Sequence, residues 1–423
     1  MVCSILAVCT NGCERENLMY TRLHPDIENR PGARDAVSIL SNCVHCGFCN
    51  ATCPTYLELG DERDGPRGRI YLIKNLLETG SASDKTRQHL DRCLTCRACE
   101  TTCPSGVEYA SLADFGRGLL EEQLKRPFSE RLQRRLLRLV VPYRRRFGLF
   151  LRLGQALRFL MPSHLRVKIP GRQRRESVKP ATKATNHARK VVLLDGCVQS
   201  ATTPATNQAA VRVLDRLNIT ALRVGETGCC GALSYHLGEH EEARDFIRKN
   251  IDALAPAIES GAERIVSSAS GCTVMLKGYA KIMADDPEYA QAACRISELT
   301  LDLCEALSRE DLSALAGTDQ TPTALHCPCT LTHGLGLDEQ LRDVLQRSGV
   351  QLTDTRDDHL CCGSAGTYSI LQPEMSQQLL DNKLSALTMD NPDRIVTANV
   401  GCQLHLATKS ELAVSHWIEL LAE

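Results

Sequence analysis

Aromatic residues are scarce in this chain of 423 residues: seven Phe, nine Tyr and a single Trp. So few leave little for a base-stacking surface, and no nucleic-acid partner is expected. No apolar run approaches the ~18 residues that a membrane span needs. The chain also lacks G-x-G-x-x-G, P-loop, H-E-x-x-H and G-x-S-x-G motifs, so it carries no recognisable flavin, nicotinamide or ATP site of its own. The short apolar run Val2 to Val8 has no basic residue ahead of it, which argues against a secretory signal. Cys3, Cys9 and Cys13 are irregularly spaced and are assigned to a loose tail over residues 1–30, with Met19 as a candidate start.

Net charge is nearly absent too, at -1, but its distribution is uneven. From Lys125 to Lys190 there are 20 Lys/Arg against only Glu130 and Glu176, a balance of +18 that leaves -19 elsewhere. Within this block, basic residues alternate with Leu132, Leu136, Leu139, Phe147, Phe150, Leu151, Leu153, Leu157 and Phe159. That pattern predicts one or two basic amphipathic helices. They would either lie on an anionic membrane interface or dock on protein with a solvated basic face. The Pro/Gly-punctuated stretch from Lys168 to Arg189 reads as a linker.

What the chain has in abundance is cysteine, 22 residues in short repeated clusters, unlike a small secreted disulfide scaffold. Cys43, Cys46, Cys49 and Cys53, followed by Pro54, have the spacing C-x2-C-x2-C-x3-C-P, and Cys93, Cys96, Cys99, Cys103 and Pro104 repeat it. Three thiolates two residues apart on a tight loop supply three corners of a cubane iron–sulfur cage. In two-cluster ferredoxins the fourth Cys of each run serves the other cluster. One [4Fe–4S] cluster is therefore assigned to Cys43, Cys46, Cys49 and Cys103, and a second to Cys93, Cys96, Cys99 and Cys53. A zinc site would normally use two pairs separated by a longer loop. Helical character over Ile70 to Leu77 and Thr86 to Leu90 predicts a mostly helical version of such a domain. Between the tetrads, Asp64-Gly-Pro-Arg-Gly-Arg69 reads as a turn whose arginines either offset cluster charge, face a partner or are simply exposed.

The second half is duplicated. Cys197 precedes Cys229-Cys230-Gly231 by the same 32 residues that separate Cys329 from Cys361-Cys362-Gly363, and a Gly-Cys follows each doublet at Cys272 and Cys402. Asn250 matches Asn382, and Arg264-Ile-Val matches Arg394-Ile-Val. Buried parallel strands are expected at Lys190 to Leu194, Ile219 to Val224, Arg264 to Ser267, Thr323 to His326, Val350 to Thr353 and Arg394 to Thr397. With helices between them, each copy is a small α/β domain whose cysteines fall just after strand ends. These four cysteines per copy could hold an iron–sulfur centre, hold zinc, work as a redox thiol/disulfide, or pack inertly. Gly231 and Gly363 would give the doublets the backbone freedom they need. Cys294, Cys304 and Cys327 have no counterpart and are read as structural. His326, His333, His359 and His405 are read as hydrogen-bonding residues rather than ligands.

Cys43-Val-His-Cys-Gly-Phe-Cys with Cys53-Pro-Thr-Tyr, Asp64-Gly-Pro-Arg-Gly-Arg-Ile-Tyr-Leu-Ile, His89-Leu-Asp-Arg-Cys-Leu-Thr-Cys, His359-Leu-Cys-Cys-Gly-Ser-Ala-Gly-Thr-Tyr and Ala398-Asn-Val-Gly-Cys together resemble bacterial glycolate oxidase iron–sulfur subunits from about Ser38 onward. The tandem copies also resemble the CCG domains of heterodisulfide reductase, lactate-utilisation and anaerobic glycerol-3-phosphate dehydrogenase subunits. The chain departs from the heterodisulfide reductase pattern, which ends each copy in Cys-x-x-Cys, because Met275 and His405 stand at those last positions. A noncubane cluster of that type is therefore not carried over. Cys197, Cys229, Cys230, Cys272, Cys329, Cys361, Cys362 and Cys402 remain candidate ligands.

The resemblance implies an α+β chain with no catalytic residue of its own. A helical dicluster ferredoxin domain over 31–124 would be followed by basic helices and linker over 125–189. CCG copies over 190–318 and 319–423 would complete it. It implies a relay that takes electrons singly from FAD-containing partner subunits, one of which oxidises glycolate to glyoxylate, and passes them toward a membrane quinone or similar acceptor. The expected location is cytoplasmic, or peripheral on the inner membrane's cytoplasmic face. A lactate or glycerol-3-phosphate dehydrogenase subunit, a thiol/disulfide reductase acting at the Cys-Cys-Gly sites and a purely structural scaffold are the alternatives.

Overall fold

The structure, a computed structural model, describes residues 19–160, 186–317 and 319–422. Cys3, Cys9, Cys13 and most of the expected linker lie outside those residues. The chain divides into two compact units between Lys125 and Arg126.

The first unit is built from helices. Ala33–Ser41, Pro66–Thr79, Asp84–Asp91 and Tyr109–Gln123 bury Leu40, Ile73, Leu77, Leu90, Leu112 and Leu120 in one core. Met19 and Ile27 join that core, and the His24 N–H donates to the Leu77 carbonyl. Residues 19–30 therefore fold with the unit, a correction to the tail expected over 1–30. Ile27 is fully buried, and that burial holds the segment in place. The predicted turn at Asp64–Arg69 is also corrected. A 3-10 turn over Glu62–Asp64 leads into the helix that starts at Pro66, where proline is favoured at the first helical position.

The second unit opens with the two basic helices, Phe128–Val140 and Arg144–Ala156. Their arginines pin them to the first Cys-Cys-Gly copy: Arg138 pairs with Glu239 and Glu242, Arg144 reaches Asp195, and the Tyr143 ring packs on Phe246. Their apolar residues, among them Leu136, Leu149, Phe150 and Leu153, stay exposed.

The first copy has strands β1 (Arg189–Leu194), β2 (Ile219–Leu222), β3 (Arg264–Ser267) and β4 (Thr300–Asp302), all parallel in the order β2-β1-β3-β4. The second has β5 (Thr323–His326), β6 (Arg394–Thr397) and β7 (Ala413–His416), parallel in the order β5-β6-β7. The strand expected at Val350–Thr353 is reduced to one bridge between Leu352 and Thr323. This segment stands at the sheet edge, where Thr323 donates to the Gln351 carbonyl and accepts from the Thr353 N–H. β4 and β7 were not anticipated from the sequence. The two copies share a core in which Leu193, Leu214 and Leu307 pack with Leu341, Leu345 and Trp417.

Candidate functional site

The tetrads are set by a repeated local conformation. Leu40 and Leu90 end their helices by accepting from the Cys43 and Cys93 N–H groups. The chain then takes positive φ at His45 and Thr95, and again at Gly47 and Arg97. Glycine enters this region freely, but arginine does so at a cost. Arg97 is held there by its pair with Glu100 at 2.7 Å. At Gly47 a Cβ would stand 2.7 Å from Arg67 Nη1, so a side chain there would push the guanidinium aside.

Cys103 lies among Cys43, Cys46 and Cys49, and the four line one cavity with Gly47, Arg67 and Ile70; Cys99 also reaches it. Cys53 lies with Cys93, Cys96 and Cys99. Each run of four thus sends its last thiol toward the other run. Burial pushes the Cys49 thiol up to about 11 and also raises Cys99 well above its ordinary value. Around Cys93 burial is outweighed by the Arg69 and Arg117 guanidinium groups, and its thiol falls below the ordinary value.

Arg69 is 1% exposed. It donates to the His89 carbonyl at 2.8 Å and to Thr55 Oγ1 at 3.0 Å, and reaches Cys53 Sγ at 3.8 Å. The buried Asp64 balances it, accepting also from Arg92 at 2.8 Å and pairing with His89 Nδ1 at 2.9 Å. Arg117, also buried, donates to the Leu90 and Cys93 carbonyls and to Thr95 Oγ1, and the Tyr109 hydroxyl faces Cys93. Sequence reasoning missed Arg117 and Tyr109. The 50-residue offset between the tetrads carries Arg67 onto Arg117 and would have found the arginine.

In each Cys-Cys-Gly copy the four thiols touch. In the first, Cys197, Cys229, Cys230 and Cys272 form a chain of sulfur–sulfur hydrogen bonds. In the second, Cys329 donates to Cys361 at 3.8 Å, and contacts continue through Cys362 to Cys402. Hydrogen bonding to Cys361 and burial together push the Cys329 thiol well up. Gly231 and Gly363 have φ of 92° and 86°, and at Gly363 a Cβ would meet the Ser376 carbonyl at 2.6 Å. These turns let both cysteines of a doublet face one centre.

The remaining candidates sort as follows. Cys304 and Cys327 sit in the shared core, and Cys294 donates toward Glu298. His333 Nε2 donates to the His359 carbonyl, and His405 Nε2 faces Ser376 Oγ. His326 is buried, and burial pushes its imidazole down to about 3. The match of Asn250 with Asn382 does not hold in space. Gly231 faces Ala243 and Phe246 where Gly363 faces Ser376 and Leu379, so the helix residues correspond at an offset of 133. Asn250 thus corresponds to Lys383. Asn250 is tied to Gly228, the Cys229 carbonyl and Tyr279, whereas Asn382 is exposed. The strand motif behind the sequence match shifts by fewer residues because the intervening loop is shorter in the second copy.

Two groups of four thiols around shared space, with cations against the thiolates, form a donor set suited to two [4Fe–4S] clusters. Residues 39–107 match the 4Fe-4S dicluster domain family, and residues 191–277 and 323–407 each match the cysteine-rich CCG domain. The glycolate oxidase iron–sulfur subunit of Escherichia coli is 49% identical over 96% of this chain and 99% of its own length. A probable glycolate oxidase iron–sulfur subunit of Bacillus subtilis is 30% identical over 87% of this chain and 88% of its own. Lactate utilization protein A of an Exiguobacterium strain is 27% identical over 55% of this chain and 97% of its own length. With this domain order and likeness running nearly end to end, the chain belongs to the family of glycolate oxidase iron–sulfur subunits.

Proposed function

We propose that this chain is the electron relay of a glycolate-oxidising dehydrogenase, working between FAD-containing partner subunits and a quinone or similar acceptor. The observation that carries the reading is two groups of four thiols, one flanked by the buried cations Arg69 and Arg117, in a chain without a flavin or nicotinamide motif. Cys43, Cys46, Cys49 and Cys103 would hold one [4Fe–4S] cluster, and Cys93, Cys96, Cys99 and Cys53 the other. When bound, each cluster would take up and release one electron at a time. The chain's own part is to supply thiolates, to offset their charge through Arg67, Arg69 and Arg117, and to keep the second group dry behind Tyr109 and Leu90. The Cys-Cys-Gly thiols are carried as ligands of a further centre.

The test is EPR on the complex purified anaerobically with this chain. Glycolate should produce the reduced-cluster signal and lactate much less of it. The likeness to lactate utilization proteins favours a second reading in which lactate is the donor, and the reverse ranking would establish it. A dithionite signal with neither substrate active would sink the assigned partnership.

No helix among the described residues is long and apolar enough to cross a membrane. We place the chain at the cytoplasmic face of the inner membrane through its two basic helices. Their exposed Leu136, Leu149, Phe150 and Leu153 stand beside basic side chains, the pattern of an interfacial helix. In flotation assays the chain should rise with vesicles containing anionic lipid and lose that binding in Leu149→Ser/Phe150→Ser. Equal recovery with neutral vesicles, or no binding at all, would overturn this placement.

A further inference from the structure

The two Cys-Cys-Gly copies share a backbone but not a chemistry. In the first sheet Val191 pairs with Arg264, and in the second Thr323 pairs with the corresponding Arg394. Stepping three residues along β1 and β5 sets Leu194 against His326. Leu194 lines the cavity beside Cys197, Cys230 and Cys272, so the first copy offers sulfur donors only. His326 instead brings a nitrogen to the second set of thiols.

His326 is 2% exposed. Its Nδ1 lies 2.9 Å from Thr397 Oγ1, while its Nε2 is buried with no hydrogen-bond partner. A ring nitrogen of His326, Cys362 Sγ and Cys402 Sγ all lie within 4.8 Å of one another. With the proton on Nδ1 and donated to Thr397, the Nε2 lone pair is free for a ligand, the arrangement that orients metal-binding histidines. A buried nitrogen without a partner is unfavourable unless something binds it. Two sulfurs and one imidazole suit a tetrahedral ion of zinc type, whose bonds of about 2.3 Å to sulfur and about 2.0 Å to nitrogen draw donors to within ~4 Å of each other. The neighbouring Cys329–Cys361 pair, 3.8 Å apart, is already on that scale.

We propose that the second Cys-Cys-Gly copy holds a single zinc-class ion on Cys362, Cys402 and His326 Nε2, with Cys329 or Cys361 at the fourth corner. The inference rests on the reading that these thiols bind a metal centre at all. Lys383 is buried where the first copy has Asn250, and its Nζ donates to the Asp357 carbonyl at 2.6 Å.

The test is elemental analysis and zinc-edge X-ray absorption on the full chain in its complex, prepared anaerobically with about eight irons per chain in place. One zinc per chain with a mixed sulfur/nitrogen shell is expected. His326→Leu should lose the nitrogen and weaken zinc retention against a chelator by at least about tenfold, with iron unchanged. The wild-type spectrum reads the shell directly, so the result stands even where the variant folds poorly. An all-sulfur zinc shell, or retention untouched by His326→Leu, overturns the proposal. Iron beyond eight that disappears in Cys402→Ser overturns it too but keeps a metal centre at these thiols. Neither zinc nor extra iron removes both the inference and the reading beneath it.

Discussion

Each unit of this protein contains a duplication, and in both the second member surrounds its sulfurs with more buried, cation-capable groups than the first. In the first unit, the leading tetrad has a solvent-exposed Cys46, a Phe48 that is 61% exposed and a half-buried Arg67. The following tetrad puts Ala98 in place of Phe48, buries it, and sets Arg69 and Arg117 in the interior. In the second unit Leu194, Asn250 and Met275 give way to His326, Lys383 and His405. The backbone is what the duplications keep: positive φ at matching tetrad positions, and left-handed glycines after both Cys-Cys doublets. Side chains are where the members diverge. A cation buried beside a thiolate acts through a low local dielectric, so the divergence alters charge stability more than shape.

The largest effect should come from cutting the buried cation and its half-exposed counterpart in parallel. Arg69→Met leaves Asp64 buried against one fewer positive partner, and breaking a buried pair typically costs about 3–5 kcal/mol. The variant is expected to lose the cluster at Cys53, Cys93, Cys96 and Cys99, taking iron from about eight to about four per chain. Arg67→Met should keep both clusters, because its partner Glu62 can turn to water. Iron content and the thermal midpoint of the first unit read both. Equal losses in the two variants would break the contrast between the tetrads.

The sequence carried the tetrads, the crossed wiring proposed for them and the tandem copies, because thiolate spacing is a local property written directly in residue numbers. β1, β3, β5 and β6 were legible for a similar reason: four-residue buried runs such as Ile395 and Val396 with their neighbours show as apolar blocks. What was hidden depends on contacts distant in sequence. For Arg69 the sequence leaves three readings open, because the contacts that bury it, with Cys53, Thr55 and the His89 carbonyl, are distant in sequence. Asn382 looked like the partner of Asn250 because the offset of the repeat changes by one residue between the glycine and the helix that follows, which only the packing of Gly231 and Gly363 reveals. His326 reads from sequence as a hydrogen-bonding residue, and its orphaned nitrogen is visible only in three dimensions.

A smaller effect, but one opposite in sign in the two copies, lies at the ends of β4 and β7. Ser267 pairs with Asp302 and Thr397 with His416, so an acid and an imidazole occupy equivalent places. Asp302 accepts from the Cys304 N–H and Thr273 Oγ1, yet burial, with Glu305 adding to it, lifts its carboxyl to about 6. His416 donates to the Ser268 carbonyl and accepts from the Ile418 N–H, and burial lowers its imidazole to about 4. Between the ordinary carboxylate value and about 6 the folded state holds the Asp302 proton that the unfolded state has released, so stability falls as pH rises. Between about 4 and the ordinary imidazole value the unfolded state binds the proton that folded His416 refuses, so stability rises with pH. Each shift of about two units is worth roughly 3 kcal/mol, and across the shared window the two contributions nearly cancel. Asp302→Asn should therefore expose a stability that climbs with pH, and His416→Asn one that declines. Urea unfolding at several pH values, followed by the fluorescence of Trp417, the chain's single tryptophan and part of the core the copies share, gives both slopes. Slopes of the same sign would mean that the two copies do not titrate as opposed halves, and that the acid or the imidazole is solvated before the unit unfolds.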